Sequence, residues 1–339
     1  DGVVNGCPSH LLEPERLQKI QYSEDFSQSS WAKTSASITI NSIISPDGSL
    51  NASKITEDST LNNHRISVNG LIGSGTHTIT VFAKANDRNW LLIRNAANNA
   101  WFDVSNGVVG TVQSGTGSIE NYGNGWYRCS VTMSSLSTPA IGISDNNDSY
   151  SYQGNGTGSL YIFGAQAEQG SYATSYIPNY GTSAGITRSA ETATGAGDAS
   201  TFNDSEGVLM AEISALEDDL TFRRLTISDN SYNNTIDILL TNNSNEIRVL
   251  VRDNTVTTSQ MSYTVNSVVE FNKIAFKYKS TSSSLWVNGL NVVNIADIFT
   301  LPFLTDLSFD RGDGTSNFYG NIKQIQYFDS ALNDSDLET

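Results

Sequence analysis

Along most of the chain, apolar residues recur at every second position in short runs. That period is the pleat of a β-strand, whose successive side chains point to opposite faces. In "HTITVFAKA", Ile79, Val81 and Ala83 alternate with Thr78, Thr80, Phe82 and Lys84, which predicts a strand with one sheltered face. "NWLLIRNA", "AWFDVSNG", "NGWYRCSVTM", "AIGIS" and "SLYIFGAQAE" follow, with Gly, Asn and Asp in nearly every gap. The second half uses the same grammar. "EIRVLVRD" sets Ile247, Val249 and Val251 against Arg248 and Arg252, and "FNKIAFKYKS" sets Ile274, Phe276 and Tyr278 against Lys273, Lys277 and Lys279. Asn288 and Gly289 supply the residues of a tight hairpin turn. Helix signals are nearly absent: "SALNDSDLE" predicts one turn, capped by Asn333 or Ser330. The pattern predicts an all-β protein built as two antiparallel β-sandwich, jelly-roll domains in tandem.

A chain of 339 residues exceeds one ordinary core, which agrees with two domains. Residues 1–21 lack sustained periodicity and are expected as an N-terminal arm or the end of an upstream region. The first domain is expected over 22–178, a linker over 179–199 and the second domain over 200–339. "SLYIFGAQAE" would close the first sandwich. After it Pro178, Gly181 and Gly185 break any continuing element, while Tyr161, Tyr172, Tyr176 and Tyr180 add aromatic weight. That composition predicts a strap packed on the domain surface, not a flexible Gly/Ser tether.

Charge narrows the partners. A net charge of −16 argues against nucleic acid and anionic membranes, since phosphate binding needs clustered Lys and Arg. No apolar run approaches the roughly 18 residues of a membrane span, and no signal peptide is visible. No cofactor is expected; the acidic turns leave room only for weak Ca²⁺ binding. Cys7 and Cys129 lie far apart, outside any C-x-x-C spacing, so a disulfide framework is not expected and Cys129 reads as a small buried thiol in a strand.

No catalytic apparatus declares itself, and the chain is expected not to be an enzyme. Retaining glycosidases need a pair of Asp or Glu carboxylates flanking the scissile bond, which glucanases on the concanavalin A-like fold carry in a Glu-x-Asp-x-x-Glu strand. The nearest approach is Glu217, Asp218 and Asp219, with Phe222 where the last carboxylate belongs. His10, His64 and His77 sit in no triad or metal spacing and read as surface or strand residues. The Arg311-Gly312-Asp313 tripeptide reads as turn chemistry, and the Asn-x-Ser/Thr triplets reflect abundant Asn, Ser and Thr.

Binding chemistry is the alternative. Sugars are held by aromatic faces against their apolar ring surfaces and by polar side chains that bond their hydroxyls. The candidates are Arg88, Trp90, Trp101, Tyr150 and Tyr152 in the first domain, and Trp286 and Arg311 in the second, with Arg223, Arg224 and Arg252 comparable. Trp126 and Tyr127 read as core or rim packing, and Trp31 as a plug at the start of the sandwich. Trp286 alternates with Leu285 and Val287, so it should face away from the core toward a ligand, a neighbouring domain or a sister subunit.

Two runs of phrases resemble known families. "FNKIAFKYKSTSSSLWVNGLNVV" followed by "LSFDRGDGTSNFYGNIKQIQYFDSALNDSDL" is similar to the concanavalin A-like lectin/glucanase superfamily in its laminin-G-like form. The first half, from "YSEDFSQSSWAKT" through "NGWYRCSVT" to "YIFGAQAEQGSYATSYIP", resembles jelly-roll carbohydrate-binding modules. "GCPSHLLEPER" and "GSYATSYIPNYGTSAGITRSAET" are similar to tail or fibre proteins of tailed, marine-type phages. The resemblance implies a non-enzymatic virion component located in the tail, in contact with other virion proteins, forming a homo-oligomer such as a trimer, and presenting lectin-like surfaces to host cell-surface polysaccharide. The alternatives it leaves open are an extracellular carbohydrate-binding region of a polysaccharide-degrading enzyme and an architectural capsid or tail decoration.

Overall fold

The computed structural model of the protein describes residues 9–296 and 303–338. Among them there is no α-helix, and hence none long and apolar enough to cross a membrane. The strands pair antiparallel throughout and gather into two compact units. The fold is all-β and each unit is a sandwich.

In the first unit, Glu15–Ser189, two six-stranded sheets face each other. The front sheet runs in the order Thr116–Gly123, Trp126–Ser137, Ile72–Ala85, Ser159–Gln169, Ala52–Glu57, Ala36–Ile43. The back sheet runs Val108–Val112, Asn98–Asp103, Trp90–Asn95, Pro139–Ser144, His64–Val68, Trp31–Thr34. The alternation read from the sequence sets the inner faces: Ile79, Val81, Ala83, Val131 and Ile162 from the front meet Ile66, Leu91, Ile93, Phe102 and Ile141 from the back. Cys129 is buried among them, and burial pushes its thiol pKa well up. Trp31 is buried there too, edge-on to Phe26 at 5.0 Å, its indole N–H donating to Tyr22 O at 3.0 Å. Cys7 lies outside the described residues.

The stretch expected as an arm is built into the fold. His10–Leu12 pairs with Gly320–Phe328 in the second unit, and Arg16–Gln18 pairs with Ile186–Arg188 in the first. Gln18 explains why no periodicity marks the second strand: it is a buried polar residue that donates to Ala165 O and accepts from the Ala167 and Ile20 amides. The strap after Gln169 also belongs to the first unit. Glu168, fully buried, accepts from the Thr174 amide and hydroxyl, Gln166 holds Ile177, and Ser23 and Asn179 bond each other. The expected boundary at 178 therefore falls inside a packed segment.

The second unit contains Ala190–Thr339 and the first described residues of the chain. One sheet runs His10–Leu12, Gly320–Phe328, Glu206–Ala215, Asn272–Lys279, Ser282–Val287, Leu290–Ile295; the other runs Val256–Thr264, Glu246–Asp253, Thr235–Leu240, Arg223–Ser228, Asp306–Ser308. Leu209, Ile213, Ile274, Phe276 and Leu285 meet Ile227, Ile238, Val249 and Val251 between them. Asn288 and Gly289 both take positive φ, 52° and 77°, as the hairpin requires. The expected terminal turn is a single 3₁₀ turn, Asp334–Asp336, with Asn333 at its N-cap position but no side-chain capping bond.

One buried carboxylate closes an end of the first sandwich. Glu57 accepts two bonds from Arg88 (2.6 and 3.0 Å), one from the Tyr152 hydroxyl (2.6 Å) and one from the Asn155 amide (2.9 Å). Burial alone would raise its pKa; the bonds from Arg88, Tyr152 and Asn155 outweigh it and hold the carboxyl below 4.5. Glu57→Ala leaves the partly buried Arg88 guanidinium and the Tyr152 hydroxyl without their acceptor and should cost on the order of 3 kcal/mol in urea unfolding. A group with a depressed folded pKa stabilises above its ordinary value and loses that contribution in acid. The stability gap between the wild type and Glu57→Gln should therefore be constant above pH 4.5 and shrink below it.

Candidate functional site

Because the front sheet's inner face is filled, its outer face decides what it can bind. Register places Trp126, Lys84 and Tyr161 in one row across three strands. Beside the row, Tyr122 packs edge-on to Phe82 at 4.9 Å, and Phe163 and Tyr176 complete an aromatic floor. The segment 43–50 walls the row off, with the Trp126 indole N–H donating to Ile44 O at 3.2 Å. Between wall and row lies an open groove of about 580 Å³, lined by Tyr122, Trp126, Tyr161, Lys84 and the wall residues Ile44 and Leu50. Ile44 and Leu50 on the wall are 61% and 62% exposed. Lys84 is steered by Asn124 O at 2.6 Å and keeps its other donors for the groove.

A smaller cavity of about 340 Å³ is lined by Tyr22, Glu24, Asn41, Asn51 and the largely exposed Tyr180. Burial raises the Glu24 pKa, opposed by the Tyr176 hydrogen bond.

The groove residues were not singled out in the sequence, where Trp126 read as packing and Tyr161 as aromatic weight in the closing strand. The available signal was Phe82, an aromatic standing on the polar face of "HTITVFAKA", which marks that face as covered instead of solvated.

The residues that were singled out divide. Arg88 and Tyr152 are committed to Glu57, with Tyr152 also against the His64 ring at 4.7 Å; they are structural. Trp101 lies on the outer face of the back sheet but is fully buried, so it offers no stacking face. Trp90 and Tyr150 remain half-exposed on that same side, where Tyr150 covers the Arg94 guanidinium at 4.4 Å. Trp286 does face away from the main core, as the alternation implied. Its outer side is covered: with Val208, Met210, Ala275 and Leu337 it forms a small second cluster, and only 4% of it is exposed. The chain's own C-terminal segment occupies the place expected for a ligand or subunit.

Arg311 turns back on Asp313 (2.6 Å), so the tripeptide's two charges satisfy each other. The Arg311 hydrogen bond holds the Asp313 pKa down at about 2. Arg311 also lies 4.4 Å from the Tyr232 ring centre, with Arg252 at 4.1 Å and Arg224 at 5.1 Å. Arg223 pairs with Asp219 and Arg224 with the fully buried Asp237.

The acidic triplet is spent on local structure. Asp218 accepts from Ser244 and the Asn245 amide, Asp219 from Thr221 and Arg223, and burial raises Glu217. His64 and His77 are buried strand residues: His64 Nδ1 lies 2.7 Å from Ser35 O, and His77 Nε2 lies 3.0 Å from Lys19 Nζ. Among the described residues no cluster of three or more His, Cys, Asp or Glu side chains could hold a metal ion.

No protein-family model matches the chain, and no curated protein matches it at a significant level. Solved structures similar to part of it include the Ruminococcus gnavus IT-sialidase CBM40 bound to α2,3-sialyllactose (13% identity, TM-score 0.36, covering 43% of this chain and 92% of that one). The NanB sialidase of Streptococcus pneumoniae is similar at 16% identity and TM-score 0.35, over 43% of this chain and 27% of that one. A heptameric SAP-like pentraxin from Limulus polyphemus is similar at 7% identity and TM-score 0.34, over 43% and 73%.

The covered position of Trp286 gives an expected outcome. Trp286→Ala should lower the stability of the chain by about 3 kcal/mol in urea unfolding, the cost of emptying a buried aromatic site. An unchanged midpoint would mean that the C-terminal segment does not cover it.

Proposed function

We propose that the protein is a non-enzymatic glycan-binding protein whose first unit holds a neutral stretch of polysaccharide in the front-sheet groove. The observation that carries this reading is the placing of Tyr161 and Lys84 in register beside the buried Trp126, joined by Tyr122, along an open groove of about 580 Å³. Such a surface offers what a sugar needs. Tyrosine rings supply flat apolar area at small entropic cost, and their hydroxyls, the Lys84 ammonium and nearby backbone groups supply hydrogen bonds. The groove is open at its side, which suits a chain passing through more than a small molecule enclosed on all sides.

The setting we propose is the tail or fibre of a tailed phage, with host cell-surface polysaccharide as the ligand. The support for that setting is the phrase-level resemblance of "GCPSHLLEPER" and "GSYATSYIPNYGTSAGITRSAET". The absence of enzymatic activity is part of the proposal. Its support is that Glu57, Glu168, Asp218, Asp219 and Asp237 are each held by structural hydrogen bonds or ion pairs.

Titration of the purified chain with host envelope polysaccharide and a glycan panel tests this. Tyr122→Ala and Tyr161→Ala should each weaken the best-binding glycan by about tenfold, in the range of a central interface aromatic. Melting curves should show that both variants remain folded. Undiminished binding by both would remove the groove as the site.

A further inference from the structure

The back sheet of the first unit carries a feature that the groove does not use. On its outer face Arg94 comes from Trp90–Asn95 and Arg65 from His64–Val68, on either side of Pro139–Ser144. The strand between them presents Ala140 and Gly142 to that face: Arg94 is opposite Ala140, and Gly142 lies between Leu92 and Arg65. Small residues there leave a low floor. A Cβ on Gly142 would sit 2.8 Å from His64 O and 3.1 Å from Arg65 Cβ, so the close approach of the neighbouring strand requires the glycine.

Neither guanidinium has an anion. Among the described residues, Arg94 bonds Asn99 Oδ1 through Nη1 (2.8 Å) and Arg65 bonds Asn63 Oδ1 through Nε (2.7 Å), and neither forms an ion pair. In a chain of net charge −16 that is a notable omission. Asp103, Asp145 and Asp148 form no ion pair with either arginine among the described residues. Asp103 caps its own turn through the Ser105 and Asn106 amides, Asp145 acts on Arg88, and Asp148 is exposed at the tip of the loop. Burial lowers the Arg94 pKa, Tyr150 opposes this, and the like charge of Arg65 adds to the lowering. The two cations are thus near enough to repel one another. Tyr150 covers one face of the Arg94 guanidinium at 4.4 Å, which leaves its unused N–H edge to bond an anion in plane.

We propose that this face is a second binding site, for a sugar bearing a carboxylate or sulfate that bridges Arg94 and Arg65 while Tyr150 packs beside the ring. It is a separate surface from the groove and takes a different ligand class. An anion there relieves the repulsion between the two arginines and receives charge-assisted bonds from donors that are otherwise unused.

The test uses the full chain and three defined probes in calorimetric titration: tetragalacturonate, its fully methyl-esterified form, and a sulfated carrageenan tetrasaccharide. Expected is binding of at least one acidic probe, no binding of the ester, and a loss of about tenfold or more in Arg94→Gln and Arg65→Gln. Which acidic probe binds tells carboxylate from sulfate. Tyr122→Ala should leave this binding unchanged, so the failure of either site is seen separately from the other. Because both arginines are half-exposed, melting midpoints should stay close to wild type; should Arg94→Gln unfold, Arg94→Lys keeps the charge, loses the planar fork and should still bind several-fold more weakly. Equal binding of the ester, acidic-probe binding indifferent to both arginines, or no acidic binding up to about 10 mM would overturn the proposal.

Discussion

The first unit depends on two pleated sheets sharing one dry interior. A strand gives alternate side chains to opposite faces, so once Ile79, Val81 and Ala83 are committed inward, Thr78, Thr80, Phe82 and Lys84 must stand outward. Everything that could meet a ligand is therefore what the core leaves over. The charged cluster at one end of the sandwich serves the same arrangement. Glu57 draws Arg88, Tyr152 and the loop at Asn155 onto itself, and the bare Cα of Gly158 allows this, since a Cβ there would lie 2.5 Å from Arg88 Nε. Groups of sugar-binding type are used there to hold a loop.

The two outer faces of this unit differ in chemistry because different segments cross them. The strap after Gln169 covers part of the front sheet, pinned by Glu168 and Gln166 and by Arg128, which donates to Thr174 O. Tyr176 from the strap packs against Phe82 and Phe163, and the aromatic row continues past it into the groove. The back sheet is crossed by the loop bearing Asn147 and Tyr150, anchored where Asn147 accepts from the Thr111 amide, and there the uncovered groups are cations. One face presents aromatic rings and the other guanidinium groups, and the two proposed sites follow that difference.

The second unit spends its polar outer-face residues on its own structure. Asp237, fully buried, is held by the Thr226 and Thr235 hydroxyls and faces Arg224, and burial raises its pKa against that pairing. Arg311 satisfies Asp313, and Trp286 disappears beneath Leu337. Tyr232 lies within cation–π distance of Arg224, Arg252 and Arg311, so these arginines too are engaged within the unit.

What the sequence determined by itself was local. Period-two hydrophobicity set the class of fold, the inner faces of the strands and the Asn288–Gly289 hairpin, because pleat and turn geometry act between near neighbours. It also placed Trp286 on the face away from the core. It left open what lay over that face, since Leu337 is distant in sequence and the cover exists only once the chain has folded. The same holds for His10–Leu12 and Arg16–Gln18, strands too short to show a period and defined by partners more than 150 residues away. Arg88 and Tyr152 looked available until Glu57 was brought to them; Trp126 is buried packing, as it read, and only register set Tyr161 and Lys84 beside it along one groove. A residue's exposure and charge partners are set by long-range pairing, so tertiary structure alone decided which aromatic and basic side chains stand beside an open surface.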